Sequence, residues 1–438
     1  MSSIISNSLR ILNSETFARR ITEQPSYIFI GKETAWADEE LPDIPSEAAA
    51  NISQMHKDLL AAKRITEDTI TSVIPRINWT ANSVYDQYSD RVNMIDDRKS
   101  NGSRYKFYVL TDEFNVYKCL SNSGGGASTT KPTSQQITEF GTPDGYIWKY
   151  MYTVRSTDVF SFLTQDWMPV YTIEANDGSS QSQVQENAVD GSFSDILLVS
   201  GGTGYNAAVE PTVVITGDGT GATARAVVSP ITGSITRFEV TDRGHGYSYA
   251  SISLTNVGGG NGASGTVILA PVGGHGKDAK LELGGVNKMI KMTLSGTEGG
   301  NFPTSSFRQA GIIYKPVCTD LGSKITIANT NGYENGEVIT GDTSGASGVI
   351  RLVDDNTRLL WIDTVVGAFL QSETISSSGG MSAPVERVDN NTQLVLVATV
   401  APAASIIDRS GQFMYISNRE LINRNDTQSE EIRFIIGF

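Results

Sequence analysis

The chain has 438 residues, and its 34 basic side chains against 48 acidic ones give a formal charge of −14. This negative charge opposes sequence-independent binding to a phosphate backbone, so nucleic acid is not expected as a partner. Apolar residues make up 39% and charged residues 19%, a balance that excludes a disordered, charge-swollen chain and predicts several folded cores.

Helical patterns concentrate near the N-terminus. A first, short helix is indicated by four apolar residues at helical spacing: Leu9, Leu12, Phe17 and Ile21. A second helix is predicted from Ser46 to about Ile70, with Ser46 as its N-cap and Pro75 beyond its end. The acidic segment Glu33 to Glu47 precedes it and is predicted to be a solvated loop; the alternative is a docking surface for a basic neighbour.

The segments that follow read as strands. Aromatic and aliphatic residues alternate in four runs: 26–31, 105–110, 114–120 and 145–154. A Gly/Ser/Thr-rich loop is predicted over 121–134. The predicted class is therefore mainly β, with a few helices at one end.

Glycine is concentrated in one segment, since 20 of the 43 glycines lie between Gly191 and Gly285. Within it "VSGGTGY" (199–205) returns as "VTDRGHGY" (240–247), so the segment holds two repeat units of about 42 residues. Short β-branched runs between the glycines predict strands. Two units are too few for a free-standing solenoid and favour one small sandwich or barrel.

A second repeat follows between Lys324 and Val388. Glu337 and Ile339 recur 36 residues later as Glu373 and Ile375, and the runs between them alternate as strands do. This pattern predicts a second small β domain.

Residues for catalysis are not evident. The chain has two cysteines, expected to be buried thiols, and three histidines, and it lacks GxSxG, HExxH and Gly-Lys-Ser/Thr motifs. No catalytic residue, cofactor or metal site is predicted. No signal-peptide pattern or apolar run of 18 residues occurs, so neither cleaved secretion nor membrane insertion is expected.

Tyr205 and Tyr247 occupy matching positions in the glycine repeat. Their rings are candidate stacking platforms for sugars. The alternative, which we favour, is that each ring packs over its own Gly-x-Gly turn.

Several phrases outside the two repeats occur in a characteristic order. They are YIFIGKETAW (27–36), VIPRINW (73–79), VYKCL (116–120), DGYIWKYMYTV (144–154), FRQAGIIYKP (307–316), SGQFMYISNRE (410–420) and EEIRFIIGF (430–438). In this order they resemble the baseplate wedge subunit of T-even-like contractile-tailed bacteriophages, the gene product eight family.

The resemblance implies a mainly β protein with a few N-terminal helices: an α+β frame of β-sandwich type carrying two inserted, small, glycine-rich all-β modules. The resemblance covers the frame, and the two repeat segments depart from it. The predicted organisation is frame over 1–185, insert over 186–283, frame over 284–322, insert over 323–389 and frame over 390–438.

The family implies a non-enzymatic structural subunit of the virion, made late in infection and assembled in the host cytoplasm into the tail baseplate. It is expected to form a homodimer in each wedge and to bind other wedge proteins, including those leading to tail fibres. It is also expected to take part in the baseplate rearrangement that accompanies sheath contraction. Candidate structural or interface residues in the matching phrases are Trp36, Arg76, Trp79, Trp148, Arg308 and Tyr415, with the two arginines as carboxylate partners.

Two other interpretations compete with this one. The chain could be a receptor- or glycan-binding adhesin associated with the tail, which only the Gly-Tyr repeats favour. A glycan-cleaving virion enzyme is the third interpretation, and no paired carboxylates in the sequence single it out.

Overall fold

The computed structural model describes residues 4–255 and 258–438. Strands contain 44% of the residues and helices 13%, so the chain is mainly β with a few helices, as predicted. No helix among the described residues has the length and apolarity needed to span a membrane.

Within residues 4–255 and 258–438 the helices and strands are as follows. The five α-helices are α1 (Asn7–Glu23), α2 (Ala49–Asp58), α3 (Ser156–Phe162), α4 (Ser180–Glu186) and α5 (Ala279–Leu283). The first eight strands are β1 (Ser26–Gly31), β2 (Leu59–Arg64), β3 (Ile70–Pro75), β4 (Tyr108–Leu110), β5 (Asn115–Asn122), β6 (Phe140–Gly141), β7 (Tyr146–Thr153) and β8 (Trp167–Pro169). The next eight are β9 (Phe193–Thr203), β10 (Thr212–Gly217), β11 (Thr220–Val228), β12 (Ile235–His245), β13 (Ala250–Thr255), β14 (Asn261–Leu269), β15 (Asn287–Ser295) and β16 (Phe307–Tyr314). The last nine are β17 (Val317–Ile327), β18 (Val338–Gly341), β19 (Ser347–Asp354), β20 (Leu359–Val366), β21 (Thr374–Ser377), β22 (Ser382–Val395), β23 (Val400–Pro402), β24 (Gln412–Ile422) and β25 (Ser429–Gly437).

The chain divides into two compact units. Unit 1 comprises Met1–Ser14, Thr71–Met289 and Ile436–Phe438, and unit 2 comprises Glu15–Ile70 and Ile290–Ile435. The five segment bounds expected from the sequence do not follow this division and stay a prediction.

Unit 1 contains a sheet in the order β4-β5-β7-β6. Both faces of its central strands are buried, and alternation sends side chains into two different cores. Tyr117 and Trp148 enter one core, whereas Val116 and Met151 enter the other. The aromatic runs 114–120 and 145–154 therefore form the doubly buried centre of this unit.

The glycine-rich module of unit 1, defined here as β9 to β14, is built from the predicted repeat. The first repeat supplies β9, β10 and β11, and the second supplies β12, β13 and β14. The repeats exchange strands: β14 pairs with β9, β12 pairs with β11, and the equivalent middle strands β10 and β13 pair with each other. Register shifts also recur at equivalent places, after Thr223 and after Ser264.

The first and last residues of the module lie side by side on paired strands. Phe193 at the start of β9 lies opposite Leu269 at the end of β14, and the amide of Ala270 donates to the carbonyl of Ser192 at 2.8 Å. This closure is what an inserted segment requires, since both ends must leave the surrounding fold at one place.

Unit 2 contains a sheet in the order β23-β2-β1-β16-β24. It also contains a closed six-stranded barrel in the order β17-β20-β19-β18-β21-β22, which we call the barrel module. Its ends are adjacent as well, because Val317 pairs with Val395. The second predicted repeat supplies β18 and β21, which pair antiparallel inside this barrel.

The predicted helix from Ser46 to Ile70 is wrong in its length. Only α2 (Ala49–Asp58) is helical, and its N-cap is Ala48, while Ser46 Oγ accepts from the Ala48 amide at 3.2 Å. The following residues form β2, which pairs with β1 on one side and β23 on the other. This non-local pairing outweighs the helical spacing of the apolar residues. The predicted N-terminal helix does form, as α1, but its 17 residues make it longer than the 10-residue α2, not shorter.

Candidate functional site: the buried ionic junction of the glycine-rich module

Charged side chains cluster in unit 1 where the glycine-rich module joins the β4-β5-β7-β6 sheet. Four of them are buried: Lys118 on β5, Lys149 on β7, Glu282 on α5 and His275 from a loop. Arg243 on β12 and Glu139 from another loop are half-buried. We call these six side chains the junction. Burying ionisable groups is costly unless they pair, so the pairing determines what the junction does.

Lys118 and Glu282 form the centre of the junction. Lys118 Nζ lies 2.8 Å from Glu282 Oε2, and the two side chains are 0% and 2% exposed. The ring of Tyr88 lies 3.9 Å from the ammonium nitrogen and adds a cation–π contact. The second carboxylate oxygen of Glu282 accepts from the Gly276 amide at 2.7 Å. Both charges are therefore compensated within a water-excluding site.

Helix α5 places Glu282. Its N-cap Asp278 accepts from the Leu281 amide at 3.0 Å, and Gly284 ends the helix in the left-handed conformation at φ 81°. Ala279 and Leu283 pack into the same core as Val116 of β5. Glu282 is thereby directed towards Lys118, which shares a face of β5 with Val116.

His275 is the neutral member of the junction. Its Nε2 is hydrogen-bonded to the Ser194 hydroxyl, and its Nδ1 lies 3.7 Å from Glu282 Oε2. Burial, and after it the Lys118 ammonium, lower the pKa of His275 to about 4. Burial alone would raise the pKa of Glu282, but Lys118 outweighs it and the pKa lies at about 2.

A second ionic group ties two strands of the module to the sheet. Lys149 Nζ donates to the Ile137 carbonyl at 2.7 Å and lies 3.3 Å from Glu139 Oε1. Arg243 Nε lies 3.4 Å from Glu139 Oε2, and its Nη1 donates to the carbonyls of Phe193 and Ser194. Burial raises the pKa of Glu139, but Lys149 and Arg243 outweigh it and hold that pKa below its usual value.

Ser194, His275 and Glu282 are the residue types of an acyl-transfer triad, but their geometry differs from one. Ser194 is 2% exposed, and the carboxylate is engaged by Lys118 and the Gly276 amide. Nδ1 of His275 has no hydrogen-bond partner within the described residues. The arrangement favours a rigid ionic anchor over a nucleophile.

No sequence motif singles out Lys118 or Glu282, and His275 is only one of the three histidines of the sequence. One signal was available, because Lys118 interrupts an apolar run in "VYKCL", where a strand buried on both faces would place an ammonium group in a core. Its partner could not be read from the sequence, since Glu282 lies 164 residues away.

Trp148 and Trp79 lie in the aromatic core of unit 1. Trp148 is fully buried and stacks on Tyr146 with ring centroids 5.4 Å apart and an interplanar angle of 15°. Trp79 is half-buried and donates from Nε1 to Ser128 Oγ at 3.1 Å. Trp148 is thus a core residue and offers no surface to a partner.

The two arginines predicted to bind carboxylates differ. Arg308 Nε donates to both carboxylate oxygens of Glu39, at 2.8 and 3.0 Å, and this contact lowers the pKa of Glu39. Arg76 has no carboxylate partner in the described part of the chain; it donates to Asn78 Oδ1 and to the Thr164 carbonyl, each at 2.8 Å. The loop after α3 runs beside Arg76 and supplies that carbonyl instead.

Trp36 and Tyr415 lie in unit 2 and are both half-buried. Trp36 donates from Nε1 to the Arg419 carbonyl at 2.8 Å, and Lys32 Nζ lies 4.3 Å from its ring centroid. Tyr415 packs on Phe434 with centroids 4.9 Å apart. Trp36 therefore fastens the acidic segment to β24.

Tyr205 and Tyr247 are 6% and 8% exposed and offer no open ring face to a sugar. The prediction that each packs on its own turn is also corrected. Tyr205 covers Gly260 of the second repeat, and Tyr247 covers Gly219 of the first. Their hydroxyls accept from the amides of Ala263 and Ala222, again in the other repeat. Strand exchange between the repeats causes this crossing.

Both cysteines are free and buried, as expected, and burial raises the pKa of Cys119. Among the described residues, no group of three or more His, Cys, Asp or Glu side chains could hold a metal ion. The chain matches no known protein family and no curated protein sequence.

Proposed function

We propose that the chain is a structural subunit of the tail baseplate wedge of a contractile-tailed phage. The observation that carries the proposal is that each of the seven ordered segments contains all or part of a strand. In chain order these strands are β1, β3, β5, β7, β16, β24 and β25. A resemblance confined to loops would have said little about a shared frame.

The phrases that are distant in sequence are neighbours in the fold. In unit 2, β16 pairs with β1 on one side and β24 on the other, although almost 400 residues separate the outer two strands. In unit 1, β5 pairs with β7. The glycine-rich and barrel modules, where the resemblance ends, consist of their own mutually paired strands. This division supports a common frame that carries two additions.

A wedge subunit must transmit displacement without deforming, and the junction suits this task. Arg243 of the glycine-rich module contacts Glu139 beside the unit 1 sheet, and the buried Lys118–Glu282 pair ties α5, which follows the module, to β5 of that sheet. The subunit also needs apolar surface for its partners, and Leu41 and Ile44 of the acidic segment are 75% and 90% exposed. By the proposal these partners are a second copy of the chain and other wedge proteins.

The proposal is tested by removing the protein from the virion. In a phage carrying a stop codon early in this gene, electron microscopy of the lysate should show particles without complete baseplates, because one wedge component is missing. Supplying the wild-type protein from a plasmid should restore them. Complete, contractile tails that only fail to adsorb to cells would contradict the structural role and favour the adhesin.

A further inference from the structure

Unit 1 contains a cavity of about 410 Å³ whose lining is strongly cationic. Its charged residues come from α1, the end of β3 and the segment before β4: Arg10, Arg76, Arg98, Arg104, Lys106 and Asp96. Five positive charges against one negative charge leave the cavity at +4, whereas the whole chain carries −14. Such a reversal of charge concentrates anions at one place on an otherwise repelling surface.

The positive charges of the cavity are only partly compensated. Arg10 lies 2.7 Å from Asp96 and also donates to the main-chain oxygen of Phe438. Arg76 donates to Asn78 Oδ1 and to the Thr164 carbonyl, and Arg98 donates to main-chain carbonyls, at 2.9 Å for that of Asp96. The side chains of Arg104 and Lys106 are exposed and have no hydrogen bond or ion pair within the described residues. Two cations at the cavity are therefore free to meet an anionic ligand.

The rest of the lining is apolar and aromatic. It includes Met94, Tyr105, Phe107 and Trp167. A volume of about 410 Å³ falls in the ordinary range for ligand sites, which combine an apolar wall with a few oriented polar groups. The ligand that fits this lining carries both negative charge and an apolar part.

We propose that this cavity binds an acidic peptide segment of a neighbouring protein, with carboxylates on Arg104 and Lys106 and an apolar side chain against Tyr105 and Phe107. A bare phosphate leaves the aromatic wall unused. A nucleic acid extends far beyond the cavity and meets the repulsion of the −14 chain. A short acidic segment avoids both penalties.

The choice of a neighbouring protein as the source rests on the proposed function, because an assembly holds such a segment at high effective concentration. The site itself does not depend on that function. Binding of a peptide to the isolated full-length protein can therefore fail or succeed independently of wedge assembly.

The test titrates the protein into a fluorescently labelled peptide with the sequence of residues 36–47, which has five carboxylates and two aliphatic side chains. We expect saturable binding that weakens with salt, and no binding of the peptide in which Asp and Glu are replaced by Asn and Gln. The double variant Arg104→Ala/Lys106→Ala should bind at least about tenfold more weakly, a loss of about 1.4 kcal/mol or more. The matched control Arg19→Ala/Arg20→Ala removes two exposed charges from α1 and should bind as the wild type does.

Three results would overturn the proposal. Unchanged peptide binding by the Arg104/Lys106 variant would show that the cavity is not the site. Pyrophosphate or a short DNA duplex that displaces the peptide at equal concentration would show a phosphate site. Loss of self-association in the same variant, measured by light scattering, would show that a second copy occupies the cavity. Because both altered residues are exposed, near-ultraviolet circular dichroism should confirm that the variant is folded.

Discussion

Lys118 and Glu282 show how a single pair of residues determines the environment around it. Each charge is tolerated because the other lies 2.8 Å away, and Tyr88 and the Gly276 amide complete the shell. Such a pair adds little stability over a well-packed apolar pair. Removing only one partner, however, strongly destabilises the fold, because the other charge stays buried without compensation.

Replacing Lys118 by Met should lower the free energy of unfolding by about 3–5 kcal/mol, because Glu282 would remain buried without its counter-charge. The double variant Lys118→Met/Glu282→Leu should recover most of that loss, since both charges are gone. Urea unfolding followed by circular dichroism measures both. Arg358→Met, which removes one partner of an exposed ion pair, is the control and should leave the midpoint unchanged. Equal losses in the single and double Lys118 variants would contradict this account.

His275 predicts a pH dependence of stability. Its pKa in the folded chain is about 4, lowered by burial and then by Lys118, and its ordinary value is 6.5. Between pH 4 and pH 6.5 only the unfolded chain takes up a proton on this histidine. The contribution of neutral His275 to the free energy of unfolding is therefore fully present above pH 6.5 and decreases as the pH falls towards 4. Glu282 stays ionised in the folded chain over this range because its pKa is about 2.

From pH 7 to pH 5 the wild-type protein should therefore lose about 2 kcal/mol more unfolding free energy than His275→Gln. Urea titrations of both proteins at the two pH values give the difference. An identical pH dependence in the two proteins would mean that His275 is accessible to protons in the folded state.

At the scale of elements, the repeats explain the glycine-rich module. Each tyrosine crosses to the other repeat because β9 pairs with β14 and β12 with β11. Glycine is required where the ring lies directly over the backbone: a Cβ at residue 219 would be 2.5 Å from Cδ2 of Tyr247 and 2.6 Å from the His245 carbonyl.

Gly219→Ala should consequently destabilise the module by about 1–3 kcal/mol, because the Tyr247 ring must move. Gly126→Ala is the matched control: its Cβ would lie 3.7 Å from the nearest atom, an ordinary contact, and its unfolding midpoint should not fall. Hydrogen exchange of the β11 and β12 amides reports the local effect. Unchanged protection of these amides in Gly219→Ala would contradict the crossed packing.

The sequence predicted the secondary-structure elements better than it predicted which elements and side chains pair with one another. The 42-residue repeat and the alternating aromatic runs correspond to strands, because spacing and β-branched composition are local properties. Strand exchange, the closed barrel and the Lys118–Glu282 pair depend on residues far apart in the chain, which no local pattern contains. The prediction that the helix continues beyond Asp58 is wrong for the same reason, because Leu59–Arg64 form a strand that pairs with β1 and β23.

At the scale of the whole molecule, the first and last strands of each module pair at their ends. Phe193 pairs with Leu269 in the glycine-rich module, and Val317 pairs with Val395 in the barrel module. Each therefore extends its unit without interrupting the strands that carry the baseplate resemblance. The proposed function assigns those strands to the wedge and leaves the modules as additional contact surfaces.

The mass of the purified protein by light scattering, alone and then with the other wedge proteins of the phage that encodes it, tests the central claim most directly. We predict a dimer of about twice 47.1 kDa that enters a larger wedge complex. A protein that ignores the wedge proteins and instead forms a trimer binding host cells would contradict the structural role and establish the adhesin in its place.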